Sequence, residues 1–139
     1  MEIKSFALSE GTLNLSDAWQ DHSINVLKFP ASDATLVITR AWDISPEEEN
    51  DYFSQQLARI KQRMKKVVMG EQVTSTIAGQ SAKEVKLSFE NQHVMMYEQL
   101  AIVRMEDHLL VLTFSRTTPF DADTDALWNS VKAGMQLGV

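Results

Sequence analysis

The chain has 139 residues, of which 44% are apolar and 23% charged, with 5 glycines, 3 prolines and no cysteine, a composition that fits one globular domain able to bury a core of its own. Its 13 lysines and arginines are outnumbered by 19 aspartates and glutamates, for a formal charge of −6, so the basic footprint of a nucleic-acid or anionic-membrane binder is missing. The lack of cysteine removes disulfide frameworks, thiolate zinc sites and cysteine nucleophiles together.

The first residues, Met1-Glu2-Ile3-Lys4-Ser5, carry no apolar signal core, and no stretch reaches the ~18 apolar residues of a membrane span. A cytoplasmic location without membrane insertion is the expectation. Two short apolar runs, Ile3 to Leu8 and Thr12 to Leu15, flank the turn Ser9-Glu10-Gly11 and predict an opening hairpin. The segments from His22 to Phe29 and from Thr35 to Trp42 read as two further strands, broken by Pro30-Ala31-Ser32-Asp33.

Residues 45 to about 67 predict the clearest helix. Ser45 can cap it, Pro46 suits its first position and Glu48 completes a capping box. Apolar side chains recur with helical spacing at Phe53, Leu57, Ile60, Met64 and Val67, and the acidic start and basic end follow the helix dipole. Strands are then expected at about 71–78, 83–90, 93–105 and 108–116, joined by short turns as an antiparallel meander. A closing helix begins at Thr118 or Asp121, with Leu127, Val131 and Met135 on one face. No linker or repeat divides residues 1–139, and the element order predicts an α+β fold in which helices flank an antiparallel sheet.

An antiparallel sheet usually buries one face and wets the other, yet several of these strands are apolar on both. In 35–40 the bulky set is Leu36 and Ile38, opposite Thr35, Val37 and Thr39; in 99–104 it is Leu100 and Ile102, opposite Gln99, Ala101 and Val103; in 109–115 it is Leu110, Leu112 and Phe114, opposite Leu109, Val111, Thr113 and Ser115. Two arrangements account for the smaller set. Either the two helices lie on opposite faces and everything is core, or part of one face forms an apolar groove that another chain completes. Gln56 falls in the apolar stripe of its helix and Gln99 on the smaller set of its strand. A buried amide left unpaired costs about 1–3 kcal/mol, so each needs a neighbouring backbone group or a polar group of a bound segment.

His22, His93 and His108 are far apart and lack metal-ligand spacing. There is no nucleophile elbow and no glycine-rich phosphate loop, so the residues give no reason to expect an enzyme, a metal or a cofactor.

The segments "EGTLNLSDAWQDHSINVLKFP", "LVITR", "DYFSQQL", "MMYEQLAIVR" and "LWNSV" resemble, across the whole chain and in the same order, the Eag-type chaperones of bacterial type VI secretion. These are DcrB-like proteins with a Mog1/PsbP-type α/β/α sandwich. The resemblance implies a non-catalytic, homodimeric adaptor. Such an adaptor shields the N-terminal transmembrane helices of a PAAR-containing effector in the cytoplasm and helps load it onto the VgrG spike. Carried over by matching segments, the apolar contacts are Ile24, Val26 and Val37 and the polar ones Gln56 and Gln99. The alternative it leaves is a Mog1/PsbP-like module that binds soluble partners and has no membrane-helix client.

Overall fold

The computed structural model describes residues 4–136; the expected start of the first strand at Ile3 lies outside them. An N-terminal hairpin pairs β1 (Lys4–Leu8) with β2 (Gly11–Leu15) and shares no strand pairing with the rest. The main sheet has the order β3 (Asn25–Phe29), β4 (Ala34–Trp42), β9 (His108–Arg116), β8 (Val94–Arg104), β7 (Gln80–Asn91) and β5 (Lys65–Met69), with β6 (Val73–Ile77) beside the first half of β7. Every pairing is antiparallel. Turns at Ala78-Gly79 and Gln92-His93 take positive φ at both central residues, the conformation that matches the twist of a tight hairpin.

The helix expected from Ser45 to Val67 divides into three parts: a 3-10 turn at Pro46–Glu48, the helix α1 (Glu49–Arg63) and the strand β5. Its start is as expected, for the Glu48 carboxylate accepts the Ser45 backbone N–H at 3.1 Å and the Ser45 hydroxyl at 2.8 Å. Its end is four residues earlier than the apolar spacing suggests. Met64 is already extended, and Val67 reaches the same core from a strand, with Val68 turned out to solvent. An in-out pair on an edge strand continues the helical spacing by coincidence, and β-branched Val67-Val68 favours the strand.

The second helix, α2 (Ala122–Gly134), starts at Asp121, whose carboxylate accepts the Thr124 N–H at 2.9 Å. It and α1 lie on opposite faces of the sheet. Phe53, Leu57 and Ile60 of α1, with Met64 just past its end, pack with Val85, Leu87, Leu100, Ile102 and Leu109. Trp128, Leu127 and Val131 of α2 pack with Leu36, Ala101, Val103, Leu112 and Phe114. The result is an α/β/α sandwich, and it explains why Leu100, Ala101, Ile102 and Val103 are buried in succession.

Register also decides which residue sets share a face. Gln99, Ala101 and Val103 stand opposite Phe114, Leu112 and Leu110, so the small set of β8 lies with the large set of β9, under α2. The expectation that small sets from different strands form one surface is overturned there: small residues on β8 make room for the aromatic stack of Phe114 on Trp128, with centroids 5.7 Å apart.

Candidate functional site: an apolar sheet margin beside helix α1

Helix α1 covers the part of its face formed by β7, β8 and the near half of β9, and its position is pinned by charge. Arg104 donates to the Glu49 carboxylate at 2.5 Å and to the Ile44 carbonyl at 2.6 Å, and Lys83 lies 3.6 Å from the same carboxylate. Beyond α1, the same face of the sheet continues without a helix. One row of cross-strand neighbours runs Val26, Val37, Thr113, Leu100 and Val85; the next runs Lys28, Thr35, Ser115, Glu98 and Leu87. Val85, Leu87 and Leu100 are buried, whereas Val26 is 52% exposed. A cavity of about 350 Å³ opens where the two regimes meet, with Thr39, Leu100, Val111, Thr113 and Glu98 on the sheet side and Gln56, Arg59, Ile60 and Arg63 on the helix side.

Three of the five residues singled out in the sequence meet here. Gln56 lines the cavity, Val37 is the cross-strand neighbour of its floor residue Thr113, and Val26 pairs with Val37. Ile24 lies just before the first residue of β3 rather than within the strand, and is 66% exposed. Gln99 does not join them. It is paired with Phe114 and Lys86 on the α2 face and is 8% exposed. The polar residue that β8 contributes to this cavity is Glu98, one position earlier, which sequence reasoning passed over. Burial alone pushes its carboxyl up to about 7, since no cation or hydrogen-bond donor stabilises the charged form.

The segment "DAWQDHSIN" also has its structural reason. It is irregular, and β4 holds it from the α2 side. Trp42 Nε1 donates to the Asp21 carbonyl at 2.9 Å, Arg40 lies 3.5 Å from the Asp21 carboxylate and bonds Asn25 Oδ1, and the Trp42 ring is stacked on His108 at 4.5 Å. These contacts set the approach to β3 and so the place of Ile24 and Val26. A larger cavity of about 730 Å³ lies on that side, between Trp19, Asp21, Arg40, Trp42 and His108, and in its lining Asp21 is paired with Arg40 and Asp107 with His108. Among the described residues no group of three metal-ligating side chains converges, and no helix is long and apolar enough to cross a membrane.

An antiparallel sheet with one helix per face, of which α1 leaves part of its face uncovered, makes an α/β/α sandwich. Residues 10–134 match the DcrB family model, and the chain belongs to that family. It is 29% identical over 121 residues to the protein named Effector EagT6 of Pseudomonas aeruginosa, covering 84% of this chain and 83% of that one. A crystal structure of a Pseudomonas aeruginosa protein of unknown function, PA94, superposes with a TM-score of 0.73 at 26% identity over 100% of this chain and 97% of the other.

Proposed function

We propose that this protein is a non-catalytic, cytoplasmic adaptor chaperone of type VI secretion. It holds the N-terminal transmembrane helices of one PAAR-containing effector against the open sheet margin and helps bring that effector to the VgrG spike. The observation that carries this reading is the row Val26–Val37–Thr113, which runs from an exposed apolar rim into the cavity under Gln56. The relationship to EagT6 supports it, as does membership of the DcrB family.

The physical case rests on a mismatch of solvents. A transmembrane helix in water exposes about 20 apolar residues, and covering that surface gains about 25 cal/mol per Å². Short β-branched and hydroxyl side chains such as Val26, Val37, Thr39 and Thr113 let a helix backbone approach closely, as small residues do between helices in a bilayer. Gln56 at the wall supplies an amide that fixes register more than affinity. A second copy of the chain doubles the covered length, so a homodimer belongs to the same proposal, and the net charge of −6 keeps an open apolar margin soluble.

The test is an affinity pull-down of the tagged protein from its native cytoplasm, with mass spectrometry of what is enriched. The expected result is a large protein with N-terminal apolar segments of about 20 residues, lost on Val37→Asp and Val26→Asp while circular dichroism stays unchanged. Recovery of soluble partners alone, indifferent to both substitutions, would instead assign the chain to the Mog1/PsbP-like modules without membrane-helix clients.

A further inference from the structure

Glu98 is out of place in its surroundings. It stands on the apolar face of β8 between Leu87 of β7 and Ser115 of β9, one row from Leu100 and Thr113, and it lines the cavity opposite Gln56. The charged groups nearest to that cavity are Arg59 and Arg63 of α1, which line it too, and Lys28, at the far end of Glu98's own row on edge strand β3. Neither an ion pair nor a hydrogen bond ties any of them to Glu98 among the described residues. From β4, β7 and β9 the neighbours are apolar or hydroxyl-bearing. A carboxyl held this way without a cation is paired in neither state of the empty protein.

Resting on the chaperone reading above, we propose that Glu98 is the residue through which the groove recognises its occupant: in its uncharged form it donates a hydrogen bond to an oxygen acceptor on an apolar helix, a serine or threonine hydroxyl or a backbone carbonyl. Charge chemistry argues for such an occupant. An apolar helix offers no cation to pair a carboxylate, and it displaces the water that solvates one, so a filled groove favours the acid form of a Glu98 that Arg59 and Arg63 leave unpaired. Gln56, facing it across the cavity, presents donor and acceptor at once, so helix and sheet together can satisfy both an N–H-type and a carbonyl-type group.

The consequence is a proton linkage. The free carboxyl titrates at about 7 and the occupied one higher, because occupancy completes its desolvation. Binding that needs the acid form is therefore complete below that value and weakens as pH rises through it; between about pH 6 and about pH 8 the acid fraction, and with it the affinity, falls roughly tenfold. Glu98→Gln keeps the shape and the donor but removes the titration.

The experiment measures fluorescence anisotropy of a labelled Leu/Ala helix of about 20 residues with lysines at both ends and one central serine, against the full-length protein across that pH range. The expected result is the roughly tenfold loss for the wild type and a flat profile for Glu98→Gln, which binds at high pH as the wild type does at low pH. Binding that is indifferent to pH in the wild type, or equally pH-dependent in Glu98→Gln, overturns the assignment of Glu98 and leaves the groove standing. Failure of the probe to bind at any pH, or binding that survives Val37→Asp, overturns the groove and Glu98 with it.

Discussion

Glu84 shows how much one side chain can depend on its partners. It is 7% exposed on the α2 side of β7 and accepts from the Ser75 hydroxyl at 2.5 Å, from Lys132 Nζ at 3.0 Å and from Trp128 Nε1 at 3.4 Å. Burial pushes its carboxyl up, and the bonds from Ser75 and Lys132, with the lysine's charge, more than offset that and hold it below the usual value. Lys132→Met removes the cation and leaves a buried carboxylate, which is expected to cost about 3 kcal/mol at neutral pH by urea denaturation. The sign follows from the lowered pKa: the stability the pair contributes is present above the unfolded carboxyl's value of about 4.3 and is lost as pH falls through the folded one. The variant's deficit should therefore shrink in acid. None of this was legible beforehand, since Glu84 and Lys132 are 48 positions apart. Gln56 was legible, because its place in the helical stripe already turned it toward the sheet. Gln99 and Glu98 lie on opposite faces because a strand sends successive side chains to opposite sides, and a list of small residues does not say which face is which.

At the scale of elements, the two sides of the margin are expected to respond differently to substitution. Phe53 of α1 is fully buried against Leu100, Ile102 and Leu109, so Phe53→Ala should cost about 3–5 kcal/mol by removing the ring and leaving a cavity. Val26→Asp on β3, at an open edge of the sheet, should stay within about 0.5 kcal/mol of the wild type; chemical denaturation of the two variants measures both. If Val26→Asp instead unfolds the protein, the margin is core and not a docking surface. The helix starts were readable from Ser45 with Glu48 and from Asp121, because caps are local chemistry. The end of α1 was not, because an edge strand that follows without a loop preserves the apolar spacing, and the choice of strand at Lys65–Met69 is made by its pairing with β7.

At the scale of the whole molecule, the hairpin β1–β2 stands apart from the main sheet. It pairs with no other strand, leaves Leu8, Leu13 and Leu15 exposed, and meets the following segment through an edge-on contact of Phe6 with Trp19 at 5.4 Å. Removing residues up to Leu15 should leave the sandwich folded, with a thermal midpoint within about 4 °C of the full chain; a much larger drop would mean that the hairpin is part of the core. The −6 charge, the absence of cysteine and the strand-helix order are properties of the chain alone and already limited the molecule to an antiparallel α+β fold without thiol chemistry. Those features are local or additive, so no partner residue is needed to define them. Which residues share a face, that Gln56 and Glu98 line one cavity without Gln99, and that the margin of Val26 and Val37 escapes the cover of α1 depend on register and on where a helix of fixed length comes to rest across a wider sheet. Both are set by contacts between residues far apart in the chain, and only the packed structure brings those residues together.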